Sequence, residues 1–455
     1  MKKVKNIIIG FGRAGKALAQ DLGTRGEPTI VVEKDPKMYG GTCINVACIP
    51  SKKLATLAKR KPENADDAAY YTEAIQKKKA LIEQLNEANY NNVNDNENVE
   101  VIDGEASFVN DRQLKIELHN GGVMYYEAER IFINTGSRPN IPVIEGLEID
   151  GENIHTSETL MNDEKLPENL TIIGDGNIGL EFASIYAQFG SKVTLLAHSS
   201  KEDFLEAEDQ DIALAVLEAL ENMGVILLFD AETTKIDKVD KELFLTYEQE
   251  NVEELKMDKL LVAVGRSPNV AGLNLEAAGI ILAEDESIQI NKRLQTNKEH
   301  IYALGDVNGG PQHTYLSLDD YRIIISQLFG DRSYDLAERK YVPSATFINP
   351  PLASVGLTEK EARAHGYEIK VASLSVASIP RAKILDNKVG LYKAVIDANT
   401  DQILGTVLFA EASSEVINLI STAMKGRLTY QTLANQIFTH PAMAEGLNDL
   451  YGSIE

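Results

Sequence analysis

Two segments of the chain repeat one pattern of apolar and polar positions. An apolar run from Val4 to Ile9 leads into a glycine turn, a helix-like stretch from Ala14 to Leu22, and a second run from Thr29 to Glu33. The order returns as Leu170 to Ile173, a glycine turn, Ile178 to Phe189, and Lys192 to Ala197. Short continuous apolar runs read as buried strands, and apolar positions recurring every three or four residues read as a helix packed by one face. Each segment predicts a βαβ unit of ordinary length. Their separation along the chain predicts two nucleotide-binding domains, each with its own sheet.

Residues 52–90 are helical in pattern, and the Asn-rich stretch 91–98 reads as a turn. Residues 99–134 alternate like a small antiparallel sheet. The run Lys77–Lys79 reads as a solvated helix face. A helix is expected at 208–223, followed by strands to about Val264. The segments 341–357, 368–379 and 389–410 read as antiparallel strands, with helices at 411–426 and 430–437. This last region has no glycine fingerprint and reads as a separate α+β domain.

Composition narrows the class. A chain of 455 residues has length for about two to four domains. The net charge of −24 argues against nucleic acid or an anionic membrane as the main partner. The first apolar run stops at Ile9, too short for a signal peptide. No stretch approaches the roughly 20 apolar residues of a membrane helix. The expected location is the cytoplasm.

The glycine turns carry chemistry. Gly10, Gly12 and Gly15 have the spacing of a dinucleotide fingerprint. The first permits the tight turn, the second lets the backbone approach a pyrophosphate, and the third lets helix and strand pack closely. The helix N-terminus offers free N–H groups to phosphate. Glu33 closes the second strand, where a carboxylate accepts ribose hydroxyls. Gly174, Gly176 and Gly179 repeat the spacing. There the strand-end position holds Ala197, followed by His198, Ser199, Ser200 and Lys201. A missing carboxylate permits a 2′-phosphate, which tilts the expectation from NADH towards NADPH.

The chain has two cysteines, Cys43 and Cys48, in the run Gly40 to Lys52 just after the first fingerprint. Two thiols without a nearby histidine do not complete a tetrahedral metal set, so no metal site is expected. Pro50 fits the first turn of a helix beginning near Cys48. A thiolate at that helix N-terminus is stabilised by the dipole and free N–H groups. Lys52 lies on the same helical face as Cys48 and adds positive charge. This is the pattern of a redox-active disulfide.

Gly40–Lys52 resembles the active-site segment of the flavoprotein disulfide reductases, the family of glutathione reductase, dihydrolipoamide dehydrogenase and mercuric reductase. Further motifs resemble that family in order: Thr135-Gly136-Ser137-Arg138-Pro139, Gly265-Arg266-Ser267-Pro268-Asn269, Ala303-Leu304-Gly305-Asp306, and Thr439-His440-Pro441 with Glu445. The resemblance implies an α/β fold with two Rossmann-like dinucleotide-binding domains and a C-terminal α+β dimerisation domain, glutathione reductase-like. The expected boundaries are 1–148 and 268–338 for the FAD domain, 149–267 for the NAD(P) domain, and 339–455 for dimerisation. It implies FAD held at Gly10, Gly12, Gly15, Glu33, Gly41, Thr42, Lys52, Ala106, Thr135, Gly136, Gly305 and Asp306. It implies NADPH or NADH held at Gly174, Gly176, Gly179, His198 and Gly265. Cys48 is then the thiol facing the flavin and Cys43 the interchange thiol. Lys52 pairs with Glu181 near the flavin. His440, oriented by Glu445, is the general acid/base and serves the partner subunit of a homodimer.

A narrower resemblance, carried by Met38–Asn45, Ile131–Gly136, Thr314–Arg322, Ile379–Ala382 and Gln436–Pro441, is to the bacterial reactive-chlorine-resistance flavoproteins, also described as hypothiocyanous acid reductases. It implies a small-molecule oxidant such as hypothiocyanous acid as substrate. The alternatives are a copper or mercury reductase, a dihydrolipoamide dehydrogenase or other disulfide reductase, and a flavin-binding redox sensor or interaction protein with little turnover. Mercuric reductase typically carries a C-terminal cysteine pair, which is not found here, and lipoamide dehydrogenase usually has histidine where Phe438 stands. Three residues depart from the family pattern: Ala47 before the second cysteine, Asp175 inside the second glycine loop, and Asn177, where a tyrosine often covers the flavin.

Overall fold

The strand Lys2–Ile9 is exposed at its start and buried through its last four residues. Its end lies between two parallel neighbours, with Ile7 opposite Ile30 on one side and Ile131 on the other. A strand buried on both faces must be apolar at every position, which is why this run reads without alternation. Successive side chains still divide between two cores. Ile7 and Ile9 join Ile30, Ile131 and Ile301 on one face, while Ile8 joins Leu18, Leu22 and Phe132 on the other. The helix Arg13–Thr24 covers this second face together with Thr314–Phe329, which supplies Ile323 and Ile324.

The computed structural model describes residues 1–239 and 242–454. Two units can be distinguished: Met1–Lys53, Glu73–Ile141 and Gly265–Arg339 form the first, and Leu54–Thr72, Pro142–Val264 and Lys340–Glu455 the second.

The first unit holds a six-stranded sheet that changes character along two of its strands. Val99–Phe108 pairs parallel with Thr29–Glu33 as far as Asp103, then antiparallel with Gln113–Leu118. Val123–Ile133 begins antiparallel to Gln113–Leu118 and ends parallel to Lys2–Ile9 and Ile301–Ala303. The small antiparallel sheet expected at 99–134 is therefore one end of the nucleotide sheet. The burial of Val123–Ile133 records the change: alternating at first, continuous over its last three residues.

Two other expectations need correction. The helix Asp67–Asn94 continues into the Asn-rich stretch, and the turn follows it, where Asn98 N–H donates to Asn96 Oδ1 at 3.0 Å. The Lys77–Lys79 run is not uniformly solvated. Helical pitch turns its middle residue inward, and Lys78 is 2 % exposed. Burial and the charge of Lys79 bring the Lys78 ammonium down to about 8.

The second unit contains the second βαβ, Asn169–Ile173, Asn177–Phe189 and Lys192–Leu196. These strands lie in a five-stranded parallel sheet with Ile226–Leu228, Lys259–Val262 and Ile154–Thr156. The C-terminal region forms an antiparallel sheet in the order Ser344–Thr346, Leu352–Gly356, Ile403–Phe409, Leu391–Asp397 and Ile369–Ser375. The helices Ser413–Lys425 and Gly446–Gly452 pack on it through Ile420, Leu447 and Tyr451. Among the described residues, no helix is long and apolar enough to cross a membrane.

Tyr451 fills this last core with no exposed surface, and its hydroxyl meets Thr406 Oγ1 at 2.7 Å. Tyr451→Ala removes the ring and leaves the threonine hydroxyl unpaired, an expected loss of about 3–5 kcal/mol. Urea denaturation of the purified protein followed by circular dichroism measures it. An unchanged midpoint would mean that the C-terminal helix contributes little to stability.

Candidate active site

The first glycine loop is built around one side chain. Asn134 follows the last residue of Val123–Ile133 and is 5 % exposed. Its Oδ1 accepts from Gly15 N–H at 2.9 Å, and its Nδ2 donates to the Leu304 carbonyl at 2.7 Å. One amide thus ties the fingerprint helix to the Leu304-Gly305-Asp306 turn. Gly10, at φ +100°, brings its backbone against the Asn134 carbonyl, where a Cβ would collide. Asp320, 2 % exposed, accepts from Gly305 N–H at 2.7 Å and is paired by Arg339 at 2.6 Å. Burial raises the Asp320 carboxyl, against the pull of Arg339 and the Gly305 N–H.

The acidic position at the end of Thr29–Glu33 faces this loop. Glu33 Oε2 accepts from Phe11 N–H at 2.8 Å and Oε1 from Asp35 N–H at 3.1 Å. Burial pushes the carboxyl up, and these backbone donors pull it down. Each oxygen keeps a lone pair for a ribose hydroxyl. Asp306 Oδ2 accepts from Ser137 Oγ at 2.7 Å, and Ser137 is itself held by Arg266 Nε at 3.0 Å. Thr135 Oγ1 donates to the Asn269 carbonyl at 2.7 Å, which fixes the turn at Gly136. A Cβ on Gly136 would come within 3.8 Å of Thr42 Oγ1. Ala106 puts its side chain into the apolar core, so it offers a ligand only its backbone.

The cysteines lie beside the same loop. Gly41, at φ +77°, packs so closely that a Cβ would sit 2.7 Å from Gly12 Cα. Cys43 belongs to the short helix Thr42–Asn45, and Cys48 opens Cys48–Lys59 with Pro50 in its first turn. Asn45 braces the segment between them, donating to the carbonyls of Tyr39 at 3.0 Å and Gly41 at 2.9 Å. Both cysteines are free thiols, and the Cys43 thiol is in hydrogen-bond contact with Cys48. Thr314 Oγ1 lies 3.5 Å from Cys48 Sγ. The bond to Cys48, burial and the charge of Cys48 all push the Cys43 thiol far up, while Thr314 and Lys16 pull it down. Such a pair titrates as a unit, with one proton held while the partner is ionised.

Sequence reasoning assigned no role to Lys16, Thr314 or Tyr315. Lys16 is 6 % exposed, hydrogen-bonded to Asn89, and brought to about 8 by burial, Arg13 adding to the fall. Tyr315, pushed up to about 12 by burial and by the charge of Cys48, stacks on His313 at 4.9 Å. A lysine directly after the third fingerprint glycine was the available signal for the first of these.

Lys52 belongs to the first unit, on the helix that Cys48 opens, and Gly265 begins that unit's last segment. In the second unit Glu181, 7 % exposed, accepts from Phe347 N–H at 2.9 Å. Asn177 Oδ1 accepts from Thr346 Oγ1 at 3.0 Å. The loop glycine Gly176 has open space where a Cβ would stand, room for a close-lying pyrophosphate, and Gly179 packs its helix on the Gly174 carbonyl. His198 is exposed. His440 Nδ1 and Glu445 Oε2 are 2.7 Å apart, with the imidazole 70 % exposed. Among the described residues, no group of three or more potential ligands could hold a metal.

Two glycine loops at the ends of parallel strands, with a dithiol at the first, define a nucleotide-dependent disulfide oxidoreductase. The chain belongs to the pyridine nucleotide-disulphide oxidoreductase family, which residues 4–320 match, with that family's dimerisation domain at 342–451. It is accordingly an FAD-containing enzyme that uses NAD(P)H, and its dimerisation domain supports a homodimer. A probable pyridine nucleotide-disulfide oxidoreductase of Escherichia coli (strain K12), RclA, is 41 % identical over 455 residues, covering 100 % of both chains. The solved structure of RclA, an HOCl-induced flavoprotein disulfide reductase, superposes with TM-score 0.93 at 40 % identity over 99 % of this chain and 100 % of that one. A Cu(II) complex of RclA gives 0.94 at 41 % identity and 99 % of each chain. Mercuric reductase of Lysinibacillus sphaericus is 34 % identical over 97 % of this chain and 81 % of its own.

Asn134→Ala leaves the Gly15 N–H and the Leu304 carbonyl unpaired in a buried place, at a cost of about 1–3 kcal/mol for each group. The expected result is a protein that purifies with substoichiometric FAD, read from the ratio of flavin to protein absorbance. Full flavin content would remove Asn134 from this role.

Proposed function

We propose that the enzyme reduces a small thiol-reactive oxidant, of the hypothiocyanous acid type, at a Cys43–Cys48 dithiol, in the cytoplasm where NAD(P)H is at hand. The observation that carries this reading is the contact between the chain's only two cysteines beside the first glycine loop. Full-length likeness to an HOCl-induced flavoprotein supports it.

Bound here, FAD would supply the electron transfer from NAD(P)H to the Cys43–Cys48 disulfide. We assign its pyrophosphate to the loop of Gly10, Gly12 and Gly15 against Gly41 and Thr42. Glu33 takes the adenosine ribose, and Asp306 takes a hydroxyl of the linking chain. Thr135, Gly136, Gly305 and the backbone of Ala106 complete the cradle, and Lys52 and Glu181 have electrostatic roles toward the reacting ring. NAD(P)H is assigned to Gly174, Gly176, Gly179, His198 and Gly265. In this reading 1–148 and 268–338 are the FAD domain, 149–267 the NAD(P) domain and 339–455 the dimerisation domain.

The dithiol chemistry follows from the shared proton. Cys43 keeps its proton while Cys48 is charged, so attack by Cys43 needs a base. The partner subunit's copy of the imidazole that Glu445 holds in this chain is assigned that task. The Cys43 thiolate attacks the sulfur of HOSCN, an S–S bond forms, and hydroxide leaves as water with the proton from the imidazolium. Cys48 thiolate then attacks the Cys43 sulfur, the disulfide closes, and thiocyanate departs. Net, two thiols and HOSCN give a disulfide, water, thiocyanate and a proton. No third cysteine is required.

A second reading, reduction of copper or mercury, draws on the Cu(II) complexes described for RclA and on the affinity of a dithiol for soft cations.

The deciding measurement is stopped-flow reoxidation of NAD(P)H-reduced holoenzyme. Hypothiocyanite is expected to reoxidise it rapidly and glutathione disulfide slowly, and the reverse order would overturn the proposal. Faster reoxidation by Cu(II) or Hg(II) than by hypothiocyanite would favour the second reading. The thiol assignment has its own test. Cys48→Ser should retain FAD and lose the long-wavelength thiolate–flavin absorbance of the two-electron-reduced enzyme. Persistence of that band would exchange the roles of the two cysteines.

A further inference from the structure

The two βαβ units allow an internal comparison at the place where a nucleotide's adenine ribose is read. In the first unit, the second residue of the glycine loop, Phe11, donates its N–H to Glu33 at the end of the next strand. In the second unit the loop residue in the same place is Asp175, and the strand-end position is Ala197. Ile173 and Leu196 are register partners on neighbouring parallel strands, so the glycine loop and the segment after Leu196 leave the sheet side by side. Asp175 Oδ2 accepts a hydrogen bond from Ser199 Oγ, two residues beyond Ala197. The acid that is missing from the strand end is thus present at the same edge, supplied from the loop.

We propose that Asp175 is the specificity-determining carboxylate of the second nucleotide site, and that it selects NADH over NADPH. Oδ2 is held by Ser199, which leaves Oδ1 to accept from a ribose 2′-hydroxyl. A 2′-phosphate there would meet the carboxylate as a like charge. Asp175 and Ser199 are half-buried, whereas the basic side chains of the segment, His198 and Lys201, are exposed and screened by solvent. Asp203, which accepts from Ser200 Oγ at 2.8 Å, is exposed in the same way. The loop carboxylate reverses the tilt towards NADPH that Ala197 alone suggests. Asp175 becomes the counterpart of Glu33 in the second βαβ unit, supplied by the loop instead of the strand end.

The inference rests on the family assignment and is independent of the oxidant, so the assay uses ferricyanide as acceptor with the holoenzyme. The parent is expected to favour NADH by at least about tenfold in kcat/KM. By calorimetry it should bind 5′-AMP more tightly than 2′,5′-ADP. Asp175→Asn keeps the shape and removes the charge. It should shift both ratios towards the 2′-phosphorylated ligand by about tenfold, through KM and with kcat little changed. Ser199→Ala keeps the charge and frees the side chain, and should weaken NADH without improving NADPH. A parent that prefers NADPH, or an Asp175→Asn protein with full flavin and unchanged ratios in both measurements, would overturn the proposal.

Discussion

The first nucleotide site depends on a single buried amide. Asn134 extends the strand Val123–Ile133, its N–H donating to the Ile9 carbonyl at 2.8 Å, and places its side chain between two motifs far apart in sequence. A neutral side chain that both accepts and donates is required there, because Gly15 presents an N–H and Leu304 a carbonyl. Aspartate would set a carboxylate against that carbonyl, and an aliphatic residue would leave both groups unpaired out of reach of water. The Asp320 carboxylate fixes the Gly305 N–H in the same way, and Arg339 balances its charge. The turn bearing Asp306 is therefore held by side chains from two separate elements.

This scaffold places the thiols where their electrostatics matter. Gly41 lies against Gly12, so the segment carrying Cys43 cannot shift without disturbing the loop. Asn45 fixes the same segment by bonding the carbonyls on its near side. Two thiols in contact cannot both ionise cheaply, and the strong rise at Cys43 expresses that limit. Of the pair, Cys48 sits at the start of a twelve-residue helix, where the dipole favours negative charge. The division of labour between the two sulfurs thus has a structural origin in their different backbone settings.

Much of this was legible from residue order. Both βαβ units are found within two residues of the expected limits, because glycine spacing and uninterrupted apolar runs are local signals. The antiparallel C-terminal sheet was equally open to reading. What escaped was long-range. Nothing local says that Val99–Phe108 changes partner at Gly104, since alternation looks the same in either sheet. Lys78 reads as solvated because the burial of a lysine stem depends on neighbours that sequence does not place. Asn134 was visible as part of a motif, but its task was not, for its partners lie 119 and 170 residues away. The helix Thr314–Phe329 drew no expectation of its own, although Thr314 borders the thiols.

The two glycine loops set a carboxylate at the corresponding sheet edge by different routes. Both units share strand order, loop length and helix placement, so their ribose ends occupy equivalent sites. In one, the strand provides the carboxylate and the loop provides the N–H that holds it. In the other, the loop provides the carboxylate and the segment after the strand provides the hydroxyl that holds it. Position-by-position reading sees an acid lost at Ala197 and an unexpected charge at Asp175. Since one lies across from the other at the same sheet edge, the two departures describe one exchange, and the site retains a fixed acceptor for a sugar hydroxyl.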